Sequence, residues 1–355
     1  MHLPLLALAA STLLPLALAT HSHQKPAHKR SHGIKRASGY SLRHDFSGER
    51  FFDAFNFASR PPLPFPTSSD TTRSNGGIAN FVDAATAAKE HLIEVKDDGT
   101  AHIRVHPKVN GDGTIDAVKI TTKEQYGEGL YVWDVERMPQ VCGVWPAIWS
   151  TGDNWPENGE IDLVEYVSHQ TKNSFSVHTA SGCWAGSTGY SGKSMLDGEN
   201  ALNCDAEATT AQGCGFRSHS LNTAGIGANP SRGGLYALEW ARAGLKAWYF
   251  PRDDVPQDLK EGRPDPEAWG TPSMWIAREG CEPEVYFGPQ TWVVNTQICG
   301  NWPNGVWDTD NSYAGQEGSC AADTGYATCE EYVRNTPEDF EHAYWRIGSF
   351  RIYNK

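Results

Sequence analysis

Short runs of β-branched and aromatic residues recur along most of this chain, and no long amphipathic helix interrupts them. They fall at 102–106, 117–121, 129–136, 144–149, 159–167, 174–179, 235–241, 245–250, 292–298 and 344–353. Turn formers separate them, as in Asn110-Gly111-Asp112-Gly113. The only helical pattern in the first half, 81–89, is short. Many short strands must cover one another's apolar faces, so the expected class is all-β, a sandwich or barrel.

Three long stretches lack a strand pattern: 181–230, 252–284 and 300–336. Together they hold six of the eight cysteines. Loops of this length in a compact domain build a site or are stapled. An even cysteine count in a secreted chain favours disulfides, but eight cysteines permit 105 pairings and spacing does not choose among them. No two stand as C-x-x-C, which argues against zinc. No linker, repeat or low-complexity tract follows residue 37, so 37–355 reads as one domain.

Residues 1–19 carry an apolar run from Leu3 to Leu18, broken by Pro4 and Pro15 and closed by Ala17-Leu18-Ala19. That is the pattern of a cleavable secretory signal peptide. Residues 20–36 are rich in His and Lys, hold no acid and end in Lys35-Arg36. They read as a pro-segment cut after the dibasic pair. Without 1–36, 25 Lys and Arg stand against 43 Asp and Glu, a net charge of −18. Such a surface disfavours nucleic acid and anionic membranes and suits a neutral substrate. No later stretch is long enough to span a bilayer. The strand-like end, Phe350 to Lys355, has no hydrophobic tail for a lipid anchor. A secreted, extracellular monomer without an N-x-[ST] sequon is expected.

The chemistry concentrates in Glu160-Ile161-Asp162-Leu163-Val164-Glu165. Ile161, Leu163 and Val164 are β-formers, so this is a strand rather than an acidic loop. Alternation points Glu160 and Asp162 to one face and sends Glu165 to the other. A β-bulge at Leu163-Val164 returns Glu165 to its companions. Acids on a strand are usually its wet face, but the apolar flanks here imply burial on at least one side. Three carboxylates aimed at one place repel each other, which a purely structural sheet has no reason to hold. Paired carboxylates flanking a scissile bond are what glycoside hydrolysis requires. Thirteen tryptophans add flat apolar faces for sugar rings, with Trp145, Trp149, Trp155, Trp184, Trp302 and Trp307 nearest the acids or in later loops. Trp149, Trp240, Trp248 and Trp345 lie within strand patterns and read as core. Trp155 and Trp302 stand in turn-like sequence and read as cleft residues.

These segments resemble glycoside hydrolase family 16, and within it the secreted fungal endo-1,3(4)-β-glucanases of laminarinase/lichenase type. The likeness runs through Gly143-Val144-Trp145-Pro146-Ala147-Ile148-Trp149, Asn158-Gly159-Glu160-Ile161-Asp162-Leu163-Val164-Glu165 and Val177-His178-Thr179. It continues at Glu239-Trp240, Ala247 to Arg252, Trp269-Gly270, Cys299-Gly300-Asn301-Trp302 and Ala343-Tyr344-Trp345. The resemblance implies a concanavalin A-like β-jelly-roll sandwich with a concave cleft, residues 37–355 being its catalytic domain. It implies retaining, endo-acting hydrolysis of β-1,3 and/or β-1,4 bonds in β-1,3 or mixed-linkage glucans. Glu160 would be the nucleophile, Glu165 the general acid/base and Asp162 the carboxylate assisting the nucleophile. Trp155, His178 and Trp302 would contact sugar, with Trp145 beside them. No cofactor is required. Relatives often carry one structural calcium on the convex side, and Asp112 reads as a turn former rather than a ligand.

Tyr166 departs from the pattern, since relatives commonly have Gly after the last Glu. It either narrows a subsite or points into the sheet behind. Two other readings compete: a cell-wall transglycosylase on the same fold and a non-catalytic lectin-like jelly-roll. Transglycosylases of this kind often show an unbulged E-x-D-x-E and an anchoring tail, and a lectin needs no third carboxylate.

Overall fold

The computed structural model describes residues 39–58 and 75–355. The signal-peptide and pro-segment expectations, 1–19 and 20–36, lie outside them. Two eight-stranded sheets dominate. In the first, the strands run in the order Lys193–Ser194, Cys214–Arg217, Ser174–His178, Glu160–Glu165, Val144–Gly152, Gln290–Ile298, Lys119–Thr122 and Phe55–Phe57. In the second the order is Met274–Ala277, Gly244–Pro251, Gly234–Ala241, Gly129–Arg137, Tyr344–Asn354, Ala101–Arg104 and Ile93–Val95, with Ser41–Ser47 also paired to Tyr344–Asn354. Every pairing in both sheets is antiparallel. The all-β, two-sheet expectation is met, and the strands follow the sequence pattern within a few residues.

Alternation explains the layering. From the first sheet Ile148, Ile161, Phe175, Val177, Trp292 and Val294 turn inward; from the second come Tyr131, Trp133, Tyr236, Leu238, Ile347 and Phe350. Trp133 stacks on Phe350 with ring centroids 3.9 Å apart and meets Trp292 at 6.0 Å. Each such side chain contributes about 1.5–3 kcal/mol by leaving water. Trp133→Ala, which would leave a large void, should cost about 3–5 kcal/mol. The outer face of the second sheet is apolar too: Leu130, Val132, Ala237 and Trp248 are covered by Val255, Leu259 and Trp269. The expected helix shortens to Ala84–Lys89, because the Asp83 side chain caps it by accepting from Thr86 N at 2.7 Å.

The long stretches are less irregular than their sequence suggests. The first contains the edge strand Lys193–Ser194 and its neighbour Cys214–Arg217, the second contains Met274–Ala277, and the third is built of short helices. Four disulfides tie them down. Cys183–Cys281 joins the first to the second, and Cys204–Cys214 closes a short loop within the first. Cys142–Cys320 and Cys299–Cys329 anchor the third, around a small core of Trp307, Tyr332, Val333 and Phe340.

Candidate active site

Glu160–Glu165 sits mid-sheet between Ser174–His178 and Val144–Gly152. Its register with Ser174–His178 pairs Glu160 with His178 and Asp162 with Ser176, then jumps to pair Glu165 with Ser174. Against Val144–Gly152 it pairs Asp162 with Trp149 and then Val164 with Ile148. The extra residue is the expected bulge. Its cause is that Leu163 and Val164 are both fully buried, so two consecutive apolar side chains enter the same core. Asn173 replaces the ladder bonds lost there: its Nδ2 donates to Leu163 O at 3.0 Å, and its Oδ1 accepts from Glu165 N at 3.0 Å. Glu160, Asp162 and Glu165 thus share the face turned away from the core.

The loop before the strand is fixed just as tightly. The Gln290 amide donates to Asn158 O at 2.7 Å and to Gly288 O at 3.1 Å. Gly159 has φ 73°, and a Cβ there would lie 2.4 Å from the Phe287 ring, so only glycine fits. This holds Trp155, 47% exposed, over the Glu160 end of the strand, where its side chain hydrogen-bonds to Glu160.

At the other end, Trp145 Nε1 donates to Glu165 Oε1 at 2.8 Å. The Trp302 ring meets Trp145 edge-on at 5.8 Å. Trp302 is brought there by the helix Asn301–Gly305, immediately after the disulfide-bonded Cys299. His178 Nε2 lies 3.0 Å from Asp162 Oδ2. All seven residues singled out by sequence therefore meet on one face.

Burial dominates the electrostatics. It pushes Glu160 up to about 8, Asp162 adding its charge while His178 and the Trp155 hydrogen bond pull the other way. Asp162 rises to about 7, again by burial, with a hydrogen bond to Glu160 opposing. Glu165 reaches about 8 through burial and then the Asp162 charge, offset by Trp145, His178 and Arg217. Three carboxyls this close do not all ionise near neutral pH, so the face holds protons ready to give.

The structure corrects one sequence reading and decides between the two left open for Tyr166. Trp149, read as core, is partly exposed beside Trp145, because alternation turns Val144 and Ile148 inward and Trp145, Ala147 and Trp149 outward. Its Nε1 donates to Asn295 Oδ1 at 2.7 Å, and Lys119 Nζ lies 5.1 Å from its ring centroid. Tyr166 does not line a subsite: it is fully buried in the main core and its hydroxyl donates to Pro139 O. Trp240, Trp248 and Trp345 are buried as read. Asn173, Lys119, Asn295 and Arg217 were missed. Counting alternate positions along each strand would have flagged Lys119, Asn295 and Trp149, but nothing local flags Asn173.

Ligand atoms of Glu160, Asp162 and His178 lie within 4.8 Å of one another, as do those of Cys142, His169 and Asp323. Among the described residues these are the groups of three such side chains near enough to hold a cation. In the second the sulfur is committed to Cys320. Asp112 accepts from Thr114 N and Oγ1, which is how a turn former behaves.

Residues 64–353 match the model of the XgeA-like, catalytic GH16 domain. A probable endo-1,3(4)-β-glucanase of Aspergillus flavus is 35% identical over 323 residues, which is 89% of this chain and 44% of that protein. The chain spans 40–65% of the length of the curated relatives it matches. Laminarinase 16A from Phanerochaete chrysosporium, a GH16 protein solved with two β-glucans in donor and acceptor sites, superposes with a TM-score of 0.75 at 30% identity, over 89% of this chain and 99% of that one. An elongating GH family 16 β-1,3-glucosyltransferase superposes with a TM-score of 0.74 at 29% identity, over 89% and 100%.

Proposed function

The chain belongs to glycoside hydrolase family 16, and from that premise we propose that it is an endo-acting β-glucanase cutting β-1,3 or mixed-linkage β-1,3/1,4-glucan with retention. The observation that carries this reading is the bulge, which sets Glu160, Asp162 and Glu165 on one face beneath Trp155, Trp145 and Trp302. Its relatives named as endo-1,3(4)-β-glucanases support the substrate class.

In the first step Glu160 attacks the anomeric carbon while Glu165 gives its proton to the departing glycosidic oxygen. The C–O bond breaks and a glycosyl ester forms on Glu160. In the second step Glu165 takes a proton from water, whose oxygen displaces Glu160 from the sugar. Burial keeps Glu165 protonated far above the ordinary carboxylate range, as an acid must be. Glu160 must instead carry charge. It shares a hydrogen bond with the Asp162 carboxylate, and passing its proton across that bond to Asp162 frees Glu160 to attack. His178 holds Asp162 in place for that exchange. The indoles of Trp155, Trp145 and Trp302 give the sugar rings apolar faces. Residues 37–355 act as the catalytic domain, and four disulfides favour secretion to an oxidising medium. The substrate is neutral, no cofactor takes part, and the enzyme works as a monomer. Any calcium is structural and away from the cleft.

One observation favours a second reading: the structural likeness to an elongating glucosyltransferase. There the acceptor in the second step is a sugar hydroxyl. Product profiles on laminarin, lichenan and barley glucan, run side by side, test both. Hydrolysis yields reducing oligosaccharides shorter than the input. Products longer than the starting oligosaccharide identify transfer, and no reducing ends from any of the three glucans would sink the hydrolase reading.

A further inference from the structure

Arg217 ends the strand Cys214–Arg217 and is 7% exposed. It stands directly opposite Ser174, which stands directly opposite Glu165. Directly paired residues share a face, so the three side chains form one rung on the cleft face of the sheet. Adjacent strands lie about 4.8 Å apart, which puts the Arg217 and Glu165 backbones roughly 10 Å apart. Only the small Ser174 side chain stands between them, and a long guanidinium reaches over it.

That guanidinium is fixed on several sides. Nη1 donates to the buried Gln170 Oε1 at 3.2 Å. Its central carbon lies 5.3 Å from the Tyr313 ring centroid and 5.9 Å from that of Trp302. Among the described residues its partners are an amide and two aromatic faces, with no carboxylate at ion-pair distance. A buried cation so placed is expensive unless a nearby anion balances it. The carboxyl cluster is that balance, and Glu165 is the member on Arg217's own rung.

We propose that Arg217 is a positioning residue for the acid/base: held by Gln170, Trp302 and Tyr313, its fixed charge sets how tightly Glu165 holds its proton. This rests on Glu165 being the acid/base. Glu165 faces Asp162 on its own strand and Glu160 beyond it, Trp145 from Val144–Gly152, His178 from Ser174–His178 and Arg217 from Cys214–Arg217. Asp162 and burial make the proton harder to release, and Arg217 opposes them. The same charge persists through both chemical steps, because it is anchored to the protein rather than to the substrate. Trp302 touches both Trp145 of the cleft wall and Arg217, so the wall is coupled to the proton.

The test compares the full chain with Arg217→Gln, which keeps an N–H donor for Gln170 but loses the charge, and with Arg217→Lys, which keeps the charge. Arg217→Met serves as the neutral variant if thermal melting shows that glutamine is not accommodated. Two readouts are taken: the pH profile of kcat/KM on laminarin, and the titration of the Glu165 carboxyl by carbon NMR, assigned with Glu165→Gln. Removing the positive charge moves the alkaline limb and the NMR midpoint up by about half a pH unit, and Lys brings both back. An unmoved midpoint in the neutral variant, or the same shift in Arg217→Lys, overturns the proposal. The NMR midpoint reads the pair even if the wild type hydrolyses no glucan, so failure of the substrate assignment is distinguishable.

Discussion

His178 Nε2 lies 3.0 Å from Asp162 Oδ2, although His178 is the cross-strand partner of Glu160 rather than of Asp162. The imidazole therefore reaches diagonally along the sheet and leaves Asp162 held between itself and Glu160. Asp162 is thus the hub of the cluster, and its charge is the second cause, after burial, raising both glutamates.

Asp162→Asn removes that charge while keeping the shape. Glu165 then gives up its proton more readily, so the alkaline limb of kcat/KM on laminarin moves down by about one pH unit. Because the nucleophile also loses its proton partner, kcat should fall about 10²-fold. An alkaline limb that stays put or moves up would contradict the charge coupling.

The two glutamates should fail in different ways. Glu160→Gln loses nearly all activity on every substrate, whereas Glu165→Gln keeps its first step on a 2,4-dinitrophenyl β-glucoside oligomer whose leaving group needs no acid. Added azide then releases a β-glycosyl azide from Glu165→Gln only. Azide rescue of Glu160→Gln to a product of opposite anomeric form is expected, and the reverse pattern exchanges the two roles.

Stability should fall with rising pH because of the same cluster. Each carboxyl holds its proton in the folded chain above the pH at which the unfolded chain releases it, from ordinary values of 4.5 or 3.8 to about 8 or 7. The stabilisation is complete below the lower values and is lost as pH climbs through the upper ones. Glu165→Gln cannot ionise, so its Tm relative to wild type should rise between pH 4.5 and pH 8, by about 2–4 °C per kcal/mol relieved. Calorimetry at the two pH values decides it, a constant gap being the adverse result.

Disulfides should differ in value with the loop they close. Cys142–Cys320 spans 178 residues and Cys204–Cys214 only 10. Replacing the first pair by alanine should cost about 2–3 kcal/mol more than replacing the second. Denaturant titration of both variants measures the difference, and equal losses would show that native packing rather than loop closure sets the scale.

Tyr166→Phe removes only the buried hydroxyl that donates to Pro139 O. It should cost about 1–3 kcal/mol and leave the ratio of laminarin to lichenan activity unchanged. A changed ratio at unchanged stability would return Tyr166 to the cleft.

Much of the site was legible because strands alternate. Ile161, Leu163 and Val164 against Glu160, Asp162 and Glu165 contain the bulge already: two adjacent apolar residues cannot both reach one core without an extra step. Trp149 shows the same rule ignored, since Trp145 four residues earlier shares its face. Tyr166 was ambiguous because the residue after a bulged strand end has no fixed side until its neighbours are known.

What the sequence by itself determined was the strand, its bulge, the identity of the three acids and the class of fold, all set by the order of polar and apolar residues over short spans. Tertiary structure alone decided which cysteines pair, that His178 serves Asp162, that Asn173 repairs the bulge, and that Arg217 shares a rung with Glu165. Each of these depends on which strands become neighbours, and pairing in an antiparallel sheet joins residues whose separation along the chain carries no local signal.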